Sequence, residues 1–200
     1  TTKHCLDKVK VLLTGANGYI GKRLLYLLID RDLEVICCVR DATRFNHSLS
    51  DHERVSIIEA DFLKPETLER IPSDIDAAYY LMHAMSMSGG NFERKEEQMA
   101  HNFTEISKKR SIKQVIYLGG IANDKELSPH LKSRLNTEHI LKEGNYNFTS
   151  LRAGIIVGSG SGSFEIIRDL VEKLPVMIAP KWLKTKSQPI AVKNILEILD

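Results

Sequence analysis

The sequence predicts an α/β protein built as a three-layer, doubly wound parallel sheet. Three observations carry this. Short apolar runs rich in β-branched residues alternate along the 200 residues with stretches whose apolar positions recur at helical spacing. No internal repeat and no linker divides the chain, so the alternation belongs to one domain, 1–200. Near the N-terminus a strand-like run, 9–13, passes into a helix-like stretch, 22–29, through Gly15, Gly18 and Gly21.

The remaining elements follow in order. EVICCV at 34–39 reads as a second strand, ended by Arg40 and Asp41. Residues 55–59 read as a third, followed by the turn ADFLKP and a short helix over 65–70. IDAAYYLM at 75–82 is a fourth strand. The longest helix, 91–110, carries Phe92, Met99, Phe103 and Ile106 on one stripe, suited to burial on the sheet or to a partner copy. QVIYL at 114–118 is a fifth strand and 129–142 another helix. Residues 147–151 and 155–157 make a sixth strand region, and a Gly/Ser loop then leads into a helix over 164–173. Pro175, Pro180 and Pro189 mark an irregular segment before a last helix that starts at 191 and is cut at 200. The sequence therefore reads as the N-terminal part of a longer protein.

The glycine turn is the first functional signal. Gly15 allows a sharp turn, Gly18 allows backbone to approach a ligand with no Cβ in the way, and Gly21 allows the helix to pack close to the strand. Asn17, Tyr19 and Ile20 complete the turn, so the free N–H groups and positive dipole end of the helix point into it. That arrangement suits a pyrophosphate, and strand–turn–helix is the context that makes the glycine spacing meaningful.

Composition excludes other partners. Hydrophobic content of 42% and charged content of 27% are those of an ordinary globular protein, and a net charge of +2 gives no reason to expect a nucleic acid or a membrane. The one basic run, Lys108 to Arg110, ends a helix, where cations suit the dipole. No apolar stretch is long enough to span a bilayer, and 1–8 has no signal-peptide core. Cys5, Cys37 and Cys38 form neither a disulfide framework nor a zinc site; they read as small core residues in a reducing compartment, with the cytoplasm as the default location.

At this point the residues resemble the short-chain dehydrogenases/reductases, specifically the extended and atypical branches that include sugar-nucleotide epimerase-like and isoflavone-reductase-like proteins. TGANGYIG at 14–21 resembles that family's TGxxGxxG, ADF at 60–62 its acidic turn after the third strand, HNFTEISKKRSIKQVIYL at 101–118 its asparagine-bearing fourth helix running into the fifth strand, and LRAGIIVGSG at 151–160 its strand and loop near the nicotinamide. The resemblance implies a Rossmann fold over nearly the whole chain and a bound NAD(P). It also implies that Asp61 meets the adenine amino group, that Asn102 supports a strand–helix junction, and that pairing of two copies through the fourth and fifth helices is open.

The ribose-reading position lies about 20 residues past the glycines, at the end of the second strand. Arg40 stands there. An acid would accept from a free 2′-hydroxyl, whereas a guanidinium offers a charged fork to a 2′-phosphate, so NADP is favoured with NAD as the alternative. Asp41 is one residue away and would reverse the reading if the register slipped. Arg44, Lys22 and Arg23 add positive charge or are simply exposed cations. Asp61 is an adenine contact or an N-cap for the helix near Pro65, the cap being the weaker reading because of its distance. His83 and Ala84 follow the fourth strand beside the crevice, where a histidine touches cofactor ribose or substrate, or is only structurally satisfied.

The family's reaction set is a serine or threonine after the fifth strand, a tyrosine, and a lysine four residues after it. Here Gly119 and Gly120 take the serine's place, with Gly119 near the cofactor, and the Y-x-x-x-K site aligns with His130 and Arg134. His130 titrates near neutrality and is the acid/base candidate; Arg134 can place a positive charge by the ribose. Surface roles in a degenerate site are the alternative for both. Tyr117 and Tyr146 lack a lysine four residues on. The loop GSGSG at 158–162 reads as a lid or a second anion cradle. Met82, Met85 and Met87 line an apolar substrate pocket or fill the core, and Trp182 covers the substrate side or a partner. The sequence thus supports an NADP-binding protein acting as an oxidoreductase on an unknown small molecule. It also leaves open a catalytically degenerate sensor or assembly subunit, or a sugar-nucleotide epimerase or dehydratase.

Overall fold

The computed structural model describes residues 8–45, 48–83, 91–122, 127–173 and 188–200. Six strands form the central sheet: β1 (Lys10–Thr14), β2 (Glu34–Val39), β3 (Val55–Glu59), β4 (Ala77–Tyr80), β5 (Gln114–Gly120) and β6 (Asn147–Ala153). Their order is β3-β2-β1-β4-β5-β6, and every neighbouring pair is parallel. The helices are α1 (Tyr19–Asp30), α2 (Phe92–Lys109), α3 (Pro129–Lys142), α4 (Gly162–Lys173) and α5 (Val192–Leu199). This is the expected Rossmann arrangement, with the order reversing between β1 and β4.

The layers follow from period-two alternation in strands buried on both faces. Leu12 of β1 points into one core with Tyr80, Tyr117, Phe103 and Leu141, beneath α2 and α3. Its neighbours Val11 and Leu13 point into the other with Leu24, Leu25, Leu28, Ile195 and Leu199, beneath α1 and α5. Cys37 and Cys38 divide the same way, and burial pushes each thiol up to about 12, so both behave as small core residues. On α2, Met99, Phe103 and Ile106 are buried, with Phe103 edge-on to Tyr80 at 4.9 Å between ring centroids. The outward face of that helix, including Glu93, Glu97, His101 and Glu105, is exposed and polar, so the stripe covers the sheet.

Two expectations are refined. The sixth strand region is two elements: β6 runs through Ala153, and β7 (Ile156–Val157) pairs with β8 (Ile190–Ala191) in a separate two-stranded sheet. Gly154 permits the break, because a Cβ there would stand 2.2 Å from the Gln188 carbonyl oxygen that crosses it. The short helix expected over 65–70 is a 3-10 helix. The C-terminal helix docks on the sheet, the Tyr79 hydroxyl donating to Leu199 O at 2.6 Å. Cys5, Ala84, Met85, Met87, Pro175, Pro180 and Trp182 lie outside the described residues.

Candidate functional site

The site starts where β1 and β4 part. Thr14, wholly buried, donates its hydroxyl to Tyr79 O at 2.7 Å and accepts from Leu81 N at 3.3 Å, tying the ends of the two strands together. Gly15 then turns the chain with φ +67°, and a Cβ there would sit 2.7 Å from Leu81 O. Gly21 presses the first turn of α1 onto this bend, since a Cβ would come within 2.4 Å of Gly15 O. Gly18 is the N-cap residue of α1 and offers no side chain to it, and the first turn holds no acid. The first bond from the helix back to its cap runs from Lys22 N to Gly18 O at 3.0 Å, so the amides of Tyr19, Ile20 and Gly21 lie ahead of it at the positive dipole end.

A cleft of about 680 Å³ opens over this turn. Gly15, Asn17, Gly18 and Lys22 form its middle, while Arg40, Asp41, Arg44 and Asp61 line one end and Met82, His83 and Met99 line it elsewhere. Arg40 follows the last residue of β2 directly. Asp41, the competing acid, accepts from Thr43 N at 3.0 Å and from the Thr43 hydroxyl at 2.6 Å, and this hydrogen bonding holds its carboxyl below the usual range. Asp61 accepts from Leu63 N at 3.0 Å in an Asx turn, and the N-cap residue of the following 3-10 helix is Lys64, so Asp61 does not cap it. Asn102 donates to Phe62 O at 2.7 Å, fastening that turn to α2.

Beyond His83 stand the two residues read as an acid/base pair. His130 and Arg134 are one turn apart on the same face of α3, which Ser128 caps and Pro129 opens. Neither lines the cleft, but the Arg134 charge reaches His83 and His130; burial first, then that charge, holds both imidazoles below the ordinary histidine range. Nδ1 of His130 is buried with no hydrogen-bond partner among the described residues. Gly119 lies inside β5, which extends through Gly120, and does not line the cleft; a Cβ there would meet the Tyr117 ring at 2.8 Å. Packing alone thus calls for glycine at 119. The Tyr117 hydroxyl donates to Arg134 O at 3.1 Å and that of Tyr146 to Leu141 O at 2.6 Å, so both serve structure.

An amide-lined turn, an uncapped helix and a long cleft at the strand switch fit a dinucleotide, and comparison with known proteins agrees. Residues 15–174 match a family model described as NAD(P)H-binding. The chain belongs to the NAD(P)H-binding family. Among relatives, it is 28% identical over 154 residues to an NmrA-like family domain-containing oxidoreductase of Aspergillus flavus, covering 74% of this chain and 48% of that protein. It is 22% identical over 191 residues to the photosystem II assembly factor Ycf39 of Synechocystis, covering 95% of this chain and 56% of that protein. The chain thus spans about half the length of these curated relatives. The enzyme WbmG of Bordetella bronchiseptica, solved in complex with NAD, superposes with a TM-score of 0.78 at 17% identity over 100% of this chain and 70% of that chain, which shows the shared fold. These findings bear out the resemblance to atypical short-chain dehydrogenases/reductases.

Some features of this family member were not read from the sequence. The Arg23 guanidinium lies 3.9 Å from the Tyr19 ring centroid and donates to Ser159 O at 2.9 Å, pinning the GSGSG loop to α1. Within that loop Gly160 N donates to the Glu165 carboxylate at 3.1 Å, so an internal acid already occupies part of the expected anion cradle. Glu96 and Ser133 are buried together between α2 and α3 beside the His130 face. Glu96 sits in a charged run, RKEEQ at 94–98, which a sequence reading takes for a solvated surface. Its spacing from Met99 and Phe103 was the available signal.

Proposed function

We propose that this chain is the cofactor-binding part of an NADP(H)-dependent oxidoreductase of the atypical short-chain dehydrogenase/reductase kind, acting on a small molecule. The observation that carries the NADP assignment is the pairing of Arg40, at the cleft edge, with an Asp41 whose carboxylate is committed to Thr43. In this reading Gly15, Asn17, Gly18, Tyr19, Ile20 and Gly21 hold the pyrophosphate, Arg40 reads the 2′-phosphate, and Asp61 meets the adenine. His83, with Ala84 after it, borders the ribose and nicotinamide end, while Gly119 serves through packing. The nicotinamide supplies the hydride when bound. His130 holds the proton for the substrate oxygen, and Arg134 places positive charge beside it. The buried thiols support a reducing compartment such as the cytoplasm.

A second reading is a dinucleotide-binding sensor or assembly subunit without turnover. Gly119 and Gly120 favour it, since neither carries a hydroxyl at the end of β5, where the family's serine or threonine would polarise a carbonyl. Similarity to a photosystem II assembly factor points the same way. An epimerase or dehydratase fits less well, because the tyrosine and lysine of that chemistry are replaced. The deciding experiment follows NADPH oxidation across a panel of aldehydes, ketones and quinones, after calorimetry has established NADPH binding. Turnover lost in His130→Ala supports the oxidoreductase; binding without turnover on any panel member supports the sensor.

A further inference from the structure

We propose that Glu96 is a positioning residue of the substrate-side site, a buried carboxylate that Ser133 anchors and that serves as counter-charge to the His130–Arg134 face of α3. Its catalytic consequence rests on the oxidoreductase reading above, whereas the electrostatic coupling itself does not. Glu96 is 3% exposed. A carboxylate is seldom that deeply buried, and burial is costly unless hydrogen bonds and opposite charge compensate. Covering the sheet does not require it, because Met99, Phe103 and Ile106 perform that task from the same helix.

The surroundings indicate what the carboxylate does. The hydroxyl of Ser133, itself buried, donates to Glu96 Oε2. Ser133 lies between His130 and Arg134 in α3, so this bond fixes the rotation of the helix face that carries both. Among the described residues, the titratable and charged groups that face Glu96 include His130 and Arg134 from α3, Tyr80 and His83 from β4 and its end, and Tyr117 from β5. Burial and the Arg134 charge drive His130 toward its neutral form, and Glu96 is the group that opposes them. It opposes them at His83 as well. The counter-charge moves His130 back toward the protonated form, which is the state a donor to a carbonyl oxygen needs.

The test is a pH titration of the histidine side chains by NMR on the whole chain without cofactor, in wild type, Glu96→Gln and Glu97→Gln, with His130 assigned from His130→Gln. Glu96→Gln is isosteric and keeps an acceptor for Ser133, and the exposed Glu97 controls for loss of a nearby surface charge. The expected result is a shift of the His130 and His83 midpoints to lower pH in Glu96→Gln, unmoved midpoints in Glu97→Gln, and NADPH affinity unchanged in both. Unmoved midpoints in Glu96→Gln, or an equal shift in Glu97→Gln, would overturn the proposal. Should Glu96→Gln not fold, Ser133→Ala carries the test: release of the anchored carboxylate moves the His130 midpoint, and an unmoved midpoint overturns it. Failure of wild type to bind NADPH would instead refute the functional reading and leave the titration to judge Glu96.

Discussion

The carboxylate of Asp41 accepts both the backbone N–H and the hydroxyl of Thr43, which turns the chain immediately after Arg40. An acid one residue past a strand end invites assignment to the ribose. Here it is an N-cap of a 3-10 turn, and Ala42 N is held in addition by the Glu59 carboxylate at 3.0 Å.

Asp41→Ala therefore acts on order rather than on recognition. Loss of the cap loosens the turn that follows Arg40. NADPH affinity falls by roughly tenfold or less in calorimetry, with NADPH still preferred over NADH. A selective loss of NADH binding would show that Asp41 itself reads the ribose.

Thr14→Val tests the tie across the strand switch. The change leaves Tyr79 O and Leu81 N without the hydroxyl they share, a cost of about 2 kcal/mol and a fall in Tm of roughly 4–8 °C. Affinity for NADPH and NADH drops in parallel, because the whole crevice loosens. An unchanged Tm would remove Thr14 from this role.

Gly21→Ala puts a methyl group 2.4 Å from Gly15 O and 2.9 Å from Ala16 Cα, so α1 must move off the turn. Overpacking of this kind costs about 1–3 kcal/mol, and cofactor binding is lost with it. Gly162→Ala is the control: nothing lies within 4 Å of the added carbon, and both stability and binding hold.

Much of this was legible in the sequence, and the limits have physical causes. Strands 34–39 and 55–59 and helix 129–142 were placed to the residue, because apolar runs between turn residues and a Ser-Pro helix start are local signals. The break after Ala153 was not legible, since it depends on Gln188, distant in sequence, lying against Gly154. At the site, Gly15, Asn17, Gly18, Arg40, Asp61 and His83 line one cleft. Gly119 lies outside it, within β5 and against the Tyr117 ring. Glu96 escaped notice because it sits in the charged run 94–98, which outweighs its helical spacing from Met99 and Phe103 until α3 is seen packed against α2.

Stability should carry an acid-side signature from Asp76. Its carboxylate accepts from Lys113 Nζ at 2.6 Å and from Lys10 N at 2.9 Å, joining the starts of β1, β4 and β5. The Lys113 hydrogen bond, then that of Lys10, holds its pKa below the ordinary 3.8. A depressed folded-state value contributes stability that is present above the unfolded pKa and lost as pH falls through the folded one. With a side chain 31% exposed, the contribution is about 1 kcal/mol or less. In urea unfolding, Asp76→Asn is thus less stable than wild type at neutral pH and the gap closes below the ordinary aspartate range. A gap that persists in acid contradicts this account.

The most direct test of the central claim is calorimetric titration of wild type and Arg40→Ala with NADPH and NADH. A charge-assisted bond to the 2′-phosphate is worth about 1.5–3 kcal/mol, or roughly 10- to 150-fold in affinity. The account predicts that NADPH binds wild type tighter by that factor and that Arg40→Ala erases the difference while leaving NADH affinity in place. Equal binding of the two nucleotides by wild type, or a preference for NADPH that survives Arg40→Ala, would contradict it.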